Sequence, residues 1–352
     1  MSGATLDRLF EPLGHAAGFV IAVSGGPDSM ALMHLLARWA TPARRDTILV
    51  ATVDHGLRPD GAGEAALVAQ AASGLGFAHR TLHWSGEKPV GGLQQAAREA
   101  RYGLLVACAR EAGASHLVTA HTLDDQAETV LMRMSRGSGV AGLAGMRAVT
   151  DRGGIRHVRP LLGVAKAELV ALCEANGWRF VQDPSNGDHR FARARWRKLM
   201  PLLAAEGMTS ERLARLAERA ARVEDALDAK ARDLVGSAAF PGPGHPIRLR
   251  GAFLLEEPFE IAVRALAFAL APFRDPSALL RLERLEAGAE RLSAALREHR
   301  ALRLTLGGAV LSLDATGELT VAAESVRRRG AFAPARGAAA SPHSLGKGGG
   351  HA

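Results

Sequence analysis

From residue 17 to about residue 180, short apolar runs alternate with longer stretches whose apolar positions recur at helical spacing. That alternation predicts repeated strand–helix–strand units, which assemble into a parallel sheet covered by helices on both faces. Strands are expected over 18–23, 48–54, 79–84 and 116–120, with a further one near 157–161, and helices over 29–39, 63–76, 93–112, 124–134 and 165–176. The fold class is α/β, a doubly wound parallel sheet, and such sheets carry their chemistry at the carboxyl ends of the strands.

Past Pro184 the pattern turns to Arg-rich helix, and between 210 and 234 Leu213, Leu216, Ala220, Val223 and Leu227 recur among charges, as in a long linking helix. Residues 240–246 hold three prolines and two glycines, a boundary composition. Helical patterns over 253–270 and 276–297, then apolar alternation over 302–306, 310–313 and 319–322, predict a smaller α+β domain. From about residue 327 Gly, Ala, Arg and Ser dominate, and a disordered tail is expected. The organisation expected is a catalytic domain over 1–205, a linking helix over 206–240, a second domain over 241–326 and a tail over 327–352.

At 352 residues, 47% of them apolar, the chain is long enough for one full α/β core and a second, smaller one. It holds no run of about eighteen apolar residues, and Asp7, Arg8, Glu11 and His15 interrupt the first twenty, so neither a membrane span nor a secretory signal is expected and the location expected is cytoplasmic. Cys108 and Cys173 are the only cysteines, both within apolar helical patterns, which suits two buried reduced thiols. The net charge of +8 suits a polyanionic partner, RNA and not DNA being the one expected, although Arg-rich composition is common among proteins with no such partner. Nothing in the pattern sets the oligomeric state, and a homo-oligomer is compatible with it.

The strongest local signal is Ser24-Gly25-Gly26-Pro27-Asp28-Ser29, between an apolar strand and an amphipathic helix. It lacks the Gly-Lys-Ser/Thr of a Walker loop. Its physics is still that of an anion cradle: two glycines allow backbone amides to approach phosphate oxygens, Ser24 and Ser29 add hydroxyls, Pro27 fits a first helical turn, and the helix end favours negative charge. Asp28 would repel a polyphosphate unless a cation stood between them, which makes it a candidate Mg2+ ligand. A glycine turn with a helix cap would account for any one of these residues taken singly.

Asp54-His55-Gly56-Leu57-Arg58-Pro59 closes the second strand, where a nucleoside would reach from a triphosphate on the first loop; a simple strand-ending turn is the other reading. In His121-Thr122-Leu123-Asp124-Asp125-Gln126-Ala127-Glu128-Thr129, Asp124, Asp125 and Glu128 fall three and four residues apart on a helix beginning near 123, with His121 just before them. Acids in a first helical turn are also ordinary dipole partners. Read as a site, they bind an incoming ammonium, whose free pKa near 10.4 leaves little nucleophile until a base removes a proton. Arg133, Arg136, Gly137, Ser138 and Gly139 follow, either cations near those acids or a solvated helix end. The same two readings apply to Arg98 and Arg101 in the preceding helix, Arg101 being well placed to reach the site from its inner face. Arg190, Arg193, Arg195, Arg197 and Lys198, interleaved with Phe191 and Trp196, make either a phosphate-binding face with stacking groups or a solvated basic helix with its aromatics turned inward.

The first loop resembles that of the PP-loop ATP pyrophosphatases, which cleave ATP between the α and β phosphates. The full series, through Asp54–Pro59, His121–Thr129, Arg136-Gly137-Ser138-Gly139, Arg159-Pro160-Leu161-Leu162 and Asp183-Pro184-Ser185-Asn186, is similar to the tRNA(Ile)-lysidine synthetases across the whole first domain. Ala194 departs from the pattern, where many of that family carry asparagine. The resemblance implies an ATP- and Mg2+-using ligase acting on tRNA(Ile) with a CAU anticodon and on L-lysine. In that reading the C2 oxygen of the wobble cytidine is adenylated and lysine displaces AMP. It implies ATP on Ser24–Ser29 with Asp54 and His55, catalysis by Asp28, Arg101, Asp125 and Glu128, with Arg101 stabilising the activated intermediate, and substrate contacts from His121, Asp124, Arg136, Arg193, Arg195 and Arg197. In the second domain the Leu306-Gly307-Gly308 turn and the strand running to Glu324 look like that family's tRNA-holding module. A tRNA thiolase, an ammonia-using synthetase and a non-catalytic nucleotide- or RNA-binding module are the rival readings; the absence of a Cys-x-x-Cys weighs against the first.

Overall fold

The structure is a computed structural model that describes residues 1–57, 61–86, 88–89, 91–181, 192–236, 245–274 and 280–324. The chain divides into two compact units, 1–226 and 227–352. The first contains α1 (Gly3–Phe10), β1 (Phe19–Ala22), α2 (Pro27–Trp39), α3 (Pro42–Arg45), β2 (Ile48–Asp54), α4 (Gly61–Gly74), β3 (Ala78–His83) and α5 (Leu93–Glu111). It continues with β4 (His116–Val118), α6 (Leu123–Met134), α7 (Val140–Leu143), β5 (Val149–Arg152), β6 (Ile155–Val158), α8 (Lys166–Ala175) and α9 (Ala192–Ala205). The boundary between the units falls inside α10 (Ser210–Gly236).

The six strands lie in the order β3-β2-β1-β4-β6-β5. Phe19 on β1 pairs in parallel with Ile48 on one side and His116 on the other, so this strand is central and its apolar run is uninterrupted. Side chains alternate along it. Phe19 and Ile21 join Phe10, Met30, Leu32, Val68 and Leu169 on one face, covered by α1, α2, α4 and α8. Val20 joins Tyr102, Leu105 and Leu117 on the other, covered by α5. Strand order reverses between β1 and β4, and in such sheets the crevice outside the carboxyl ends at that point is where ligands bind.

One expectation is corrected. The last strand is Ile155–Val158 and not 157–161, because Pro160 has no donor to continue the ladder and the Leu162 amide folds back on the Arg159 carbonyl (3.4 Å). The doubly wound sheet is present as expected, parallel from β3 to β6, and β5 adds an antiparallel edge to β6, with Val149 opposite Val158, joined through Gly153 and Gly154 at φ 62° and 81°. Two consecutive residues at positive φ make the tight hairpin whose twist matches the strands, and glycine adopts it without strain.

The second unit has a four-stranded antiparallel sheet in the order β7-β10-β9-β8: β7 (Ile247–Arg250), β8 (Leu302–Leu306), β9 (Ala309–Leu313) and β10 (Glu318–Ala323). With it stand α11 (Phe253–Glu256), α12 (Phe259–Leu270) and α13 (Leu282–Arg297). Leu249, Leu266, Leu292, Leu311 and Val321 share its core with Ala231 and Val235 of α10. The Gly307–Gly308 pair, at φ 60° and 84°, turns β8 into β9. Residues 240–244 of the expected boundary segment and the tail beyond 324 lie outside the described residues. Among the described residues no helix is long and apolar enough to cross a membrane.

Candidate active site

The crevice between β1 and β4 is built from the glycine-rich loop on one side and α6 on the other. After β1, Gly25 takes φ 86°, which turns the chain so that Gly26 becomes the N-cap of α2, with Pro27 in the first turn. A Cβ at Gly25 would stand 3.6 Å from Val181 and 3.7 Å from Val68, so the obstacle to a side chain there is the backbone conformation and not space. The Ser24 amide donates to Ser29 Oγ (3.2 Å) and the Ser29 hydroxyl to the Gly26 carbonyl (2.9 Å), closing the loop upon itself. Among the described residues no side chain caps α2. Its amino end therefore keeps the partial positive charge of first-turn amides, as an anion site requires.

Asp28, in the first turn of α2, is the one acid of the loop. Its Oδ2 accepts from Lys166 Nζ (3.0 Å) at the start of α8, while its Oδ1 is buried without a hydrogen-bond partner. Burial pushes the Asp28 carboxyl above its usual range; Lys166 pulls it back, and Asp125 and Asp124 push it up again. The Oδ1 that Lys166 does not take is the atom a cation would use. Lys166 also donates its amide to Asp124 Oδ2 (2.7 Å), tying α8 to α6. Sequence reading passed over Lys166. The one available signal was a lysine in a first helical turn, where a cation opposes the dipole and needs a local acid.

Thr122 caps α6 in a reciprocal box: Asp125 N donates to Thr122 Oγ1 (3.3 Å) and Asp125 Oδ2 accepts from Thr122 N (3.0 Å). One Asp125 oxygen is thereby spent on the helix, and Oδ1 lies 3.9 Å from Arg197 Nη2. Glu128 is 2% exposed and bonded through Oε1 to Arg197 Nε (2.5 Å) and through Oε2 to Arg197 Nη2 (3.4 Å). Burial raises the Glu128 pKa against the pull of Arg197; that of Arg197 is raised in turn, Glu128 outweighing the opposing effect of burial. Asp28, Asp124, Asp125 and Glu128 are brought into one electrostatically coupled set.

Behind His121 runs a buried polar chain. Thr119 Oγ1 lies 2.8 Å from both His121 Nδ1 and His157 Nε2, and His157 Nδ1 lies 3.0 Å from Arg159 Nη2. Burial, with Arg159 close by, pushes both imidazoles down to about 2, so both are neutral at ordinary pH. Tyr102 sits among cations: the guanidinium carbons of Arg98, Arg101 and Arg152 stand 5.2, 5.1 and 4.0 Å from its ring centre. Burial alone would raise the Tyr102 phenol, yet Arg101 and Arg98 hold it below its usual range. Burial lowers the Arg98 pKa, and Arg193 and Arg101 lower it further. Arg101 thus belongs to a cationic wall beside His121, and Arg193 is felt by both Arg98 and Glu128.

Asp54 and His55 close β2. Asp54 Oδ1 accepts from the Gly56 amide (2.8 Å), its Oδ2 lies 3.6 Å from His83 Nδ1, and His55 meets the Trp84 ring edge-on at 5.9 Å. Arg136 and Arg195 stand away from the coupled acids, in a pocket between α6 and α9. Arg58, Pro59, Asp183, Pro184, Ser185, Asn186, Arg190 and Phe191 lie outside the described residues. No group of three or more His, Cys, Asp or Glu able to enclose a metal occurs among the described residues. A cation at Asp28 would therefore need oxygen ligands from bound phosphate and water, the usual case for Mg2+.

The two imidazoles carry a stability prediction. Their folded pKa lies below the unfolded value near 6.5, so as pH falls below that value the unfolded chain takes up protons first and stability is lost. Each should remove about 1.4 kcal/mol per pH unit between pH 6.5 and 5. The urea midpoint should therefore fall over this interval, and His157→Asn should flatten the slope; an unchanged slope in the variant would contradict the buried neutral state.

The sequence profile of the PP-loop domain matches residues 2–203. A tRNA(Ile)-lysidine synthase of Methylobacterium nodulans is 52% identical over 332 residues, 92% of this chain and 95% of the relative. One of Methylobacterium sp. (strain 4-46) is 55% identical over 90% of this chain and 92% of its own, and one of Bradyrhizobium sp. 46% identical over 94% and 97%. Among solved structures, the U34-tRNA thiolase NcsA from Methanococcus maripaludis, with its iron–sulfur cluster, superposes at a TM-score of 0.52. That match covers 61% of this chain and 78% of the thiolase at 18% identity, a likeness of fold.

Proposed function

The chain belongs to the tRNA(Ile)-lysidine synthase family, and from that premise we propose that it adenylates the wobble cytidine of a CAU-anticodon tRNA(Ile) and joins L-lysine to it in the cytoplasm. It is an ATP-dependent ligase forming a carbon–nitrogen bond. The observation that carries the finer reading is the meeting, in one crevice, of an uncapped glycine-rich helix end with a coupled set of carboxylates. The first accepts a polyphosphate, the second an ammonium, and the reaction needs both within reach of one base.

In the first step the C2 oxygen of cytidine attacks the α phosphorus of ATP, an oxygen–phosphorus bond forms and pyrophosphate leaves. Backbone amides of Gly25 to Ser29 and the Ser24 and Ser29 hydroxyls hold the phosphates, with Asp54 and His55 toward the nucleoside. Mg2+, held by Asp28, would neutralise charge on the departing pyrophosphate. Arg101, with Arg98 beside it, stabilises the charge on the adenylated base. In the second step the lysine ε-amine attacks C2, the bond to AMP breaks, and the nitrogen loses a proton. His121 is a poor base, since an imidazole pushed down to about 2 holds a proton weakly. Asp125 Oδ1, near Asp124, is the better acceptor. Arg197 holds Glu128 in place, and with Arg136, Arg193 and Arg195 it belongs to the basic face that would meet the RNA backbone.

The thiolase reading finds no support in the cysteines. Cys108 packs on the α5 face of the sheet and Cys173 on the α8 face, so the two thiols are separated by the sheet itself. The test of the two-step reading is to supply ATP labelled at the α phosphate, Mg2+ and the RNA without lysine. Label should pass to the RNA and be released as AMP when lysine is added. Label that never joins the RNA while pyrophosphate still forms would contradict it.

A further inference from the structure

A second pocket, of about 380 Å3, opens between α6 and α9, lined by Met132, Ser135, Arg136, Arg195, Trp196 and Leu199. None of Asp28, Asp124, Asp125 or Glu128 lines it, so it is separate from the acid-lined crevice. Its walls combine two permanently charged guanidinium groups, an indole, the thioether of Met132 and a leucine that is 44% exposed, with no carboxylate lining it among the described residues. An aromatic and aliphatic floor beside paired cations fits a flat ring that carries an anion, which is the chemistry of a nucleotide. A volume near the low end of ligand pockets suits a single base and not a larger cofactor.

The position along α6 narrows the choice. Met132 follows Glu128 by four residues on one side of α6, Ser135 is the C-cap of that helix, and Arg136 stands in the turn just beyond it. At a rise of about 1.5 Å per residue, the end of α6 at Met134 lies about 9 Å along the axis from Glu128. A single strand with its bases splayed out spans so short a distance between neighbouring positions. On α9, Trp196 adjoins Arg197, which grips Glu128.

We propose that this pocket receives one nucleotide of the substrate RNA, close to the reacting base along the strand, its base against Trp196 and its phosphate at Arg136 and Arg195. The inference rests on the reading of the chain as an RNA-adenylating ligase. It assigns to Trp196 a selective role that no carboxylate of the crevice supplies: the identity or presence of a neighbouring base is sensed while the target base is adenylated.

The test titrates the full chain with a CAU stem–loop RNA and with copies made abasic at single loop positions other than the target. One position should lower wild-type affinity about tenfold, the loss of one base stack. Trp196→Leu and Arg195→Gln should lose about the same on intact RNA and little more on that abasic copy, while Trp196→Phe keeps wild-type binding. Losses that multiply at every position, or no loss in any variant, overturn the pocket. Arg195 is exposed, so its variant carries the test should Trp196→Leu not fold. Lysine transfer by the wild-type chain to intact RNA is followed alongside. Normal transfer without any coupled position overturns the pocket alone; absent transfer overturns the parent reading, and the binding data then still decide the pocket.

Discussion

Asp28→Asn should reduce pyrophosphate release from ATP by roughly 100- to 1,000-fold while leaving the fold as stable as before. The side chain keeps its shape and loses its charge. Among the described residues only Oδ2 is matched, by a Lys166 ammonium that is partly exposed and can turn to water, and burial already disfavours the ionised form. A structural aspartate would show the opposite pattern, with stability falling and activity following it. Pyrophosphate assays and urea midpoints on the same preparations separate the two, and near-full turnover in the variant would remove Asp28 from the chemistry.

Arg197→Met should lower stability by about 3 kcal/mol, because it strands the Glu128 carboxylate in a place where only 2% of it meets water. The figure sits at the low end for broken buried pairs because 36% of the Arg197 side chain is exposed and solvent already screens part of the attraction. Glu128→Gln should be the milder change, since the guanidinium can turn outward. The double variant Glu128→Gln with Arg197→Met should recover most of the loss of Arg197→Met alone, as coupled partners do. Urea midpoints of the four proteins close this cycle, and strictly additive losses would mean that the pair is not the unit holding α9 against α6.

The central strands were legible because burial on both faces leaves an unbroken apolar run, as in Phe19–Ala22 and in residues 48–51 of β2. β5 was not: Val149–Arg152 is a four-residue edge strand, half of it exposed, and its reason to exist is the hairpin that Gly153 and Gly154 allow. β7 escaped for a similar cause, its Ile247-Arg248-Leu249-Arg250 alternation being too short to stand out beside a proline-rich segment. The phosphate loop could be read locally since its parts are consecutive. The pairings that define the rest of the site are not local. Lys166 meets Asp28 across 138 residues and Arg197 meets Glu128 across 69, and nothing in either neighbourhood marks the partner. Charge patterning alone put Arg197 on an outward basic face, whereas a buried glutamate draws it inward.

The central claim is that one crevice passes the α phosphorus of ATP to a base and an amine to the carbon left activated. The most direct measurement supplies the full chain with ATP, Mg2+, labelled lysine and a CAU-anticodon tRNA(Ile), and counts lysine on the RNA against AMP and pyrophosphate released. Equal amounts of all three, with none when the wobble cytidine is replaced by uridine, is the result expected. Pyrophosphate without lysine on the RNA, or sulfur or ammonia transferred in its place, would contradict it.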